Sequence, residues 1–142
     1  MAYSAGNKIG FLASVFAGAL ISVSALAADT QTLSGTHEVP ANTSAATGTG
    51  SITVAADKSV SGSVTVTGMT PTAAHIHEAA AGKNGGVIVP LTKSGDNTFA
   101  VPAGTVLSDA QYAAYKAGNL YVNVHSKTNP GGEVRAQLTP AK

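Results

Sequence analysis

Apolar and polar residues alternate in short runs along most of the chain after residue 30. A period of two is typical of strands that bury one face and expose the other. Asp57 and Lys58 separate two of these runs, which predicts a hairpin. The inward candidates in these two runs are Ile52, Val54, Val60, Val64 and Val66.

One segment, SDAQYAAYKAG, breaks the alternation and predicts a helix of two to three turns. Ser108 is the expected N-cap, and Gly118 stands just past the expected end. Tyr112 and Tyr115, three residues apart, are expected to dock this helix on the sheet. With seven or eight strands and one connecting helix, the pattern predicts an all-β protein, specifically an antiparallel β-sandwich.

The beginning of the chain has the pattern of a signal peptide. Lys8 precedes a long apolar run that ends in Ala25-Leu26-Ala27, a small-x-small cleavage sequence. We therefore expect a signal peptide at 1–27 and a single domain at 28–142. An uncleaved membrane anchor is the alternative, but the run is rich in Gly, Ser and Ala and no basic cluster follows it. The expected location is periplasmic or secreted, with membrane contact only through the signal segment before cleavage.

Composition narrows the classes of partner. The formal net charge is +1 and no basic stripe occurs, so we expect no nucleic-acid partner. The chain has no cysteine, which excludes thiolate zinc sites, thiol catalysis and stabilisation by disulfides. A domain of this size must then depend on its core, or on something bound to it.

Three of the four histidines share a strand parity. Ile76 is a core candidate, so His75 and His77 point together away from the core, and His125 takes the non-core face of its own strand. Side chains at i and i+2 are about 6–7 Å apart at the backbone, which allows two imidazoles to bind one ion. An all-imidazole site suits copper, zinc or nickel, and the affinity order favours Cu²⁺. The alternative is two histidines on a surface strand that bind nothing.

Three blocks of the sequence resemble the CHRD domain family, named for its occurrence in chordin. The blocks are LSGTHEVP, PTAAHIHEAAAGKNGGVIVPL and AGNLYVNVHSKTNPGGEVRAQL, within about residues 31 to 139. The resemblance implies an immunoglobulin-like β-sandwich, related by pattern to copper-zinc superoxide dismutase, in which a His-x-His strand supplies copper ligands. His37 stands where the family more often has an amide, which makes it a weaker candidate for a fourth ligand. Ala136 replaces a usual glycine.

Four other residues near these blocks have two interpretations each. Glu133 and Arg135 share a face and either orient a histidine or form an exposed pair worth under about 1 kcal/mol. Glu78 has the opposite parity to its neighbour His77, so its carboxylate is expected to point elsewhere. Met69 is either a thioether ligand that favours Cu(I) or a packing residue.

The sequence does not predict an enzyme, although a dismutase-like redox reaction stays open. No serine nucleophile or paired carboxylates accompany the histidines, and the chain lacks the long His- and Asp-rich zinc loop of the dismutases. The favoured hypothesis is an exported protein that buffers, stores or delivers copper, or zinc in second place, through His75, His77, His125 and His37. The alternative is a non-catalytic structural or interaction module of the envelope or extracellular matrix, which binds another protein or itself.

Overall fold

The computed structural model describes residues 29–140, together with Gly18 and Ala19. The predicted signal peptide therefore lies outside the described residues, apart from those two. In the described part of the chain, no helix has the length and apolarity that a membrane crossing requires.

Eleven short strands and one α-helix make up the described domain. In chain order the strands are β1 (Gln31–Ser34), β2 (Thr47–Gly50), β3 (Thr53–Val54), β4 (Val60–Ser61), β5 (Ser63–Thr67), β6 (Pro71–Glu78), β7 (Val87–Pro90), β8 (Thr92–Gly95), β9 (Thr98–Ala100), β10 (Leu120–Ser126) and β11 (Val134–Gln137). Helix α1 (Asp109–Lys116) precedes β10, and a 3-10 turn (Gly35–His37) follows β1.

Nine strands form one antiparallel sheet in the order β7-β6-β10-β11-β1-β2-β5-β9-β8. The two edge strands, β7 and β8, are joined by Leu91 alone, whose N–H donates to the Ala74 carbonyl at 3.0 Å. The sheet is therefore nearly closed into a barrel. This confirms the all-β, antiparallel class with one short helix, whereas the immunoglobulin-like sandwich stays a prediction.

The predicted hairpin is confirmed as β3 and β4, with Lys58 at its turn in the left-handed region (φ 71°). The core includes four of its five predicted inward residues, and Val54 packs against that core half-buried. The strand count exceeds the predicted seven or eight partly because Gly62 divides one alternating run into β4 and β5. Its φ is 115°, and a β-carbon there would collide with the Ser51 carbonyl, so the chain bends at this residue.

Helix α1 is present where the sequence predicts it. The Ser108 side chain accepts from the Gln111 N–H, and the Gln111 side chain binds the Ser108 backbone in return. Asp109 forms an ion pair with Lys58, and Gly118 follows the end at φ 79°. Tyr115 is buried in the core, so the helix docks on the barrel as expected.

Candidate metal centre

The two strands that carry the candidate ligands, β6 and β10, are neighbours in the sheet. In the β6–β10 ladder, Asn123 lies opposite His75 and Tyr121 lies opposite His77, while His125 follows on the same face. The candidate ligand atoms of the three histidines all lie within 4.8 Å of one another. Their ring centroids are 4.8 to 6.0 Å apart. The structure thus brings His75, His77 and His125 together on the face that strand parity predicts.

Backbone carbonyls set the protonation of two of these rings. His77 Nδ1 is 3.0 Å from the Gly85 carbonyl, and His125 Nδ1 is 2.9 Å from the Pro130 carbonyl. A carbonyl only accepts, so each Nδ1 must carry the proton, which leaves a lone pair on each Nε2. His75 Nδ1 is 2.9 Å from His125 Nε2 and therefore donates to it. Metal-ligating histidines are oriented by contacts of this kind.

Burial and mutual repulsion favour the neutral form of two rings. His77 is 8% exposed, and His75 is half-buried. Burial lowers the pKa of His75, and the charges of His125 and His77 lower it further. Burial also lowers the pKa of His77, although its bond to Gly85 opposes this shift. The neutral form is the one that binds a metal ion.

A stack of three side chains supports His77 from the side. The His77 ring lies parallel to Tyr121 with centroids 4.8 Å apart, and the Arg135 guanidinium lies 3.4 Å from the Tyr121 centroid. Tyr121 also accepts the Gly85 N–H, while Arg135 donates to the Lys83 carbonyl and to Asn84 Oδ1. Tyr121 and Arg135 therefore fix the turn whose carbonyl orients His77.

Buried polar groups lie beside the histidines. Burial raises the pKa of Glu38 to about 7, while the charge of Arg135 and the Asn123 amide lower it. Among the described residues, the buried polar side-chain atoms without a hydrogen-bond partner are Glu38 Oε1, His77 Nε2, Asn123 Oδ1 and Glu133 Oε2. An unpartnered buried polar atom is costly, and two of these atoms, His77 Nε2 and Asn123 Oδ1, belong to residues on the face that the clustered histidines share.

His37 lies outside the cluster that the other three histidines form. Its ring is exposed, and its Nδ1 lies 3.2 Å from the Arg135 carbonyl. The ring is therefore hydrogen-bonded to the backbone of β11. It lines an open cavity of about 720 Å³ that none of the three clustered histidines lines. Size alone would place a site in that cavity, but the convergent donor atoms are at the histidines, and we assign the candidate centre there.

Contacts and burial in the structure decide between the interpretations of the four other residues. Met69 is half-buried and packs against the core, as its packing interpretation predicts. Glu78 is exposed. Glu133 and Arg135 are 6% and 1% exposed, which contradicts the exposed pair. They are buried because the turns before β7 and before β11 cover that face, and each binds its own turn.

A comparison with protein families identifies the domain. The family model described as the CHRD domain matches residues 30–138, nearly all of the described chain. The chain belongs to the CHRD domain family. No curated protein and no solved structure matches it. All three clustered histidines of this CHRD domain lie within the matched residues.

Sequence reasoning missed the groups that support the ligands in this CHRD domain. The carbonyls of Gly85 and Pro130 could not be recognised in the sequence, because every residue has a backbone carbonyl. Asn123 and Tyr121 could be recognised, since alternation along β10 puts both on the same face as His125. That parity places them on the histidine face but does not indicate their burial.

Proposed function

We propose that this CHRD domain binds one transition metal ion through His75, His77 and His125. The supporting observation is that the three rings converge while backbone carbonyls hold the Nδ1 protons of His77 and His125, so each of these two rings keeps a lone pair on Nε2. An ion would replace the His75 Nδ1 proton that His125 Nε2 accepts. Imidazole donors suit copper and zinc, and the affinity order makes Cu²⁺ the favoured ion.

Storage, buffering or delivery fits this geometry better than permanent structural binding. His75 and His125 are half-buried, so an ion held by them stays close to solvent. An ion that lies close to solvent can enter and leave by exchanging its protein ligands for water.

Export is part of the proposal. The signal-peptide pattern of residues 1–27 supports a periplasmic or secreted location, where disulfide-free stability would depend on the core and on a bound ion. Detection of a mature N-terminus near Ala28 by mass spectrometry of the exported protein would test this element. Retention of residues 1–27 would contradict it.

Metal titration tests the binding itself. We expect calorimetry with Cu²⁺ and with Zn²⁺ to give one ion per chain, with affinity at least about tenfold (1.4 kcal/mol) weaker in His75→Ala and in His125→Ala. His37→Ala is the matched control, because it removes an exposed imidazole outside the cluster. Weak binding that is the same in all four proteins would refute the proposal.

That negative result would favour the second hypothesis, a structural or interaction module. In that case the exposed loops of the barrel, rather than the histidines, would bind a partner protein or a second copy. Size-exclusion chromatography with light scattering on the same metal-free sample would then report self-association directly.

A further inference from the structure

Asn123 lies on the floor of the histidine cluster. It pairs with His75 across the β6–β10 ladder and stands two residues before His125, so its side chain shares their face. It is 2% exposed, which makes it the most deeply buried side chain among these three.

The surroundings of Asn123 determine which way its amide points. Nδ2 is 3.5 Å from the Gly131 carbonyl, and it lies beside the Glu38 carboxylate. The Gly132 backbone shows this proximity, because a β-carbon there would be 2.5 Å from Glu38 Oε1 and 2.6 Å from Asn123 Nδ2. With two acceptors on the Nδ2 side, Oδ1 must point the other way.

Oδ1 lies on the face of the sheet that the three histidines share, away from the acceptors on the Nδ2 side. Among the described residues, neither Asn123 Oδ1 nor His77 Nε2 has a hydrogen-bond partner. Since the His77 proton is on Nδ1, Nε2 presents a lone pair, and so does Oδ1.

A shared positive centre would satisfy two buried lone pairs that have no donor. Each unpartnered acceptor costs about 1–3 kcal/mol, and neither can satisfy the other. An ion coordinated by His77 Nε2 and Asn123 Oδ1 together would satisfy both atoms. The three-histidine set would then gain an oxygen donor from the strand that also carries His125.

We propose that Asn123 Oδ1 is the fourth protein donor of the metal centre, which becomes a three-nitrogen, one-oxygen site selective for divalent ions. This inference rests on the proposed function. An amide oxygen is a harder donor than imidazole or thioether, so it favours Cu²⁺ and Zn²⁺ over Cu⁺. Glu38, beside Nδ2, polarises the amide and increases the negative charge on Oδ1.

The test is Asn123→Ala, with Asn97→Ala as the matched control because Asn97 is exposed. Cu²⁺ and Zn²⁺ titrations should show affinity at least about tenfold weaker in Asn123→Ala, and Cu⁺ affinity less than about threefold weaker. The electron paramagnetic resonance spectrum of bound Cu²⁺ should also change, which a merely structural role would not cause. An unchanged spectrum with affinity within about twofold of the parent protein would overturn the inference.

A second variant keeps the test decisive if Asn123→Ala does not fold. Asn123→Asp retains the shape and an oxygen donor, and replaces the amide by a carboxylate. It should bind Cu²⁺ with a shifted spectrum, and a spectrum identical to that of the parent protein would overturn the inference. Failure of the proposed function is distinguishable, because then the parent protein itself would bind neither Cu²⁺ nor Zn²⁺.

Discussion

Arg135→Met should destabilise the protein substantially. Arg135 is 1% exposed. Its guanidinium donates at 2.7 Å to the Lys83 carbonyl and at 3.2 Å to Asn84 Oδ1, and it lies 3.4 Å from the Tyr121 ring centroid. Methionine keeps most of the apolar stem but makes none of these contacts.

The magnitude follows from these contacts. Hydrogen bonds to a charged group contribute about 1.5–3 kcal/mol each, and a desolvated cation–π contact contributes about 2 kcal/mol. Removing the charge also relieves its desolvation cost, so we expect a net loss of about 3–5 kcal/mol in the free energy of unfolding. The pKa of Glu38, already about 7, should rise further because the Arg135 charge lowers it.

Urea denaturation of the metal-free protein measures the first quantity, and Lys93→Met is the matched control. The Lys93 ammonium also lies over an aromatic ring, 5.8 Å from the Phe99 centroid, but Lys93 is exposed. Its removal should cost under about 1 kcal/mol. An Arg135→Met loss no larger than that of the control would refute the inference that Arg135 holds the turn before β7.

Three further predictions concern backbone, cap and pH. Gly132→Ala should destabilise by more than Gly82→Ala in urea denaturation: both have positive φ, but only at Gly132 would the new methyl group meet buried polar atoms within 3 Å, whereas Gly82 has open space. Ser108→Ala should cost about 1 kcal/mol by the same measurement, because it removes the side chain that accepts the helix N-terminal N–H. Since burial lowers the pKa of His75 and His77 in the fold, the unfolded chain binds more protons at these two residues, and their contribution to stability should fall as pH drops below about 6.5 towards the folded pKa. Burial raises the pKa of Glu38 to about 7, so this carboxyl contributes in the opposite direction, and the measurement is made in Glu38→Gln. Chemical denaturation of that variant in buffers from neutral to acid pH would show the loss, and a stability that rises on acidification would contradict it.

The positions of the three clustered histidines could be predicted because a strand has an exact side-chain period of two. Ile76 and its apolar counterparts on β10 assign the core face, and the opposite face then includes His75, His77 and His125. The adjacency of β6 and β10 could not be derived from parity, since about forty residues separate these strands. The topology decides it.

His37 shows the limit of the same reasoning. It lies in a 3-10 turn rather than in a strand, so alternation assigns it no face. The β1–β11 pairing places the end of β1 opposite Arg135, and the His37 ring binds that carbonyl instead of joining the cluster. The position of the His37 ring depends on the register of β1, which neither the number of histidines nor the resemblance to the family indicates.

Glu133 and Arg135 show how two buried polar residues can support the candidate metal centre without contacting it. Arg135 binds carbonyls at 80 and 83, in the turn that presents the Gly85 carbonyl to His77. Glu133 accepts from Ser126 and Asn129, in the turn that presents the Pro130 carbonyl to His125. Each residue therefore fixes one turn, and each turn holds one Nδ1 proton. Changes in these turns should weaken metal binding while all three histidines stay intact, because coordination requires Nε2 to be deprotonated and correctly aimed.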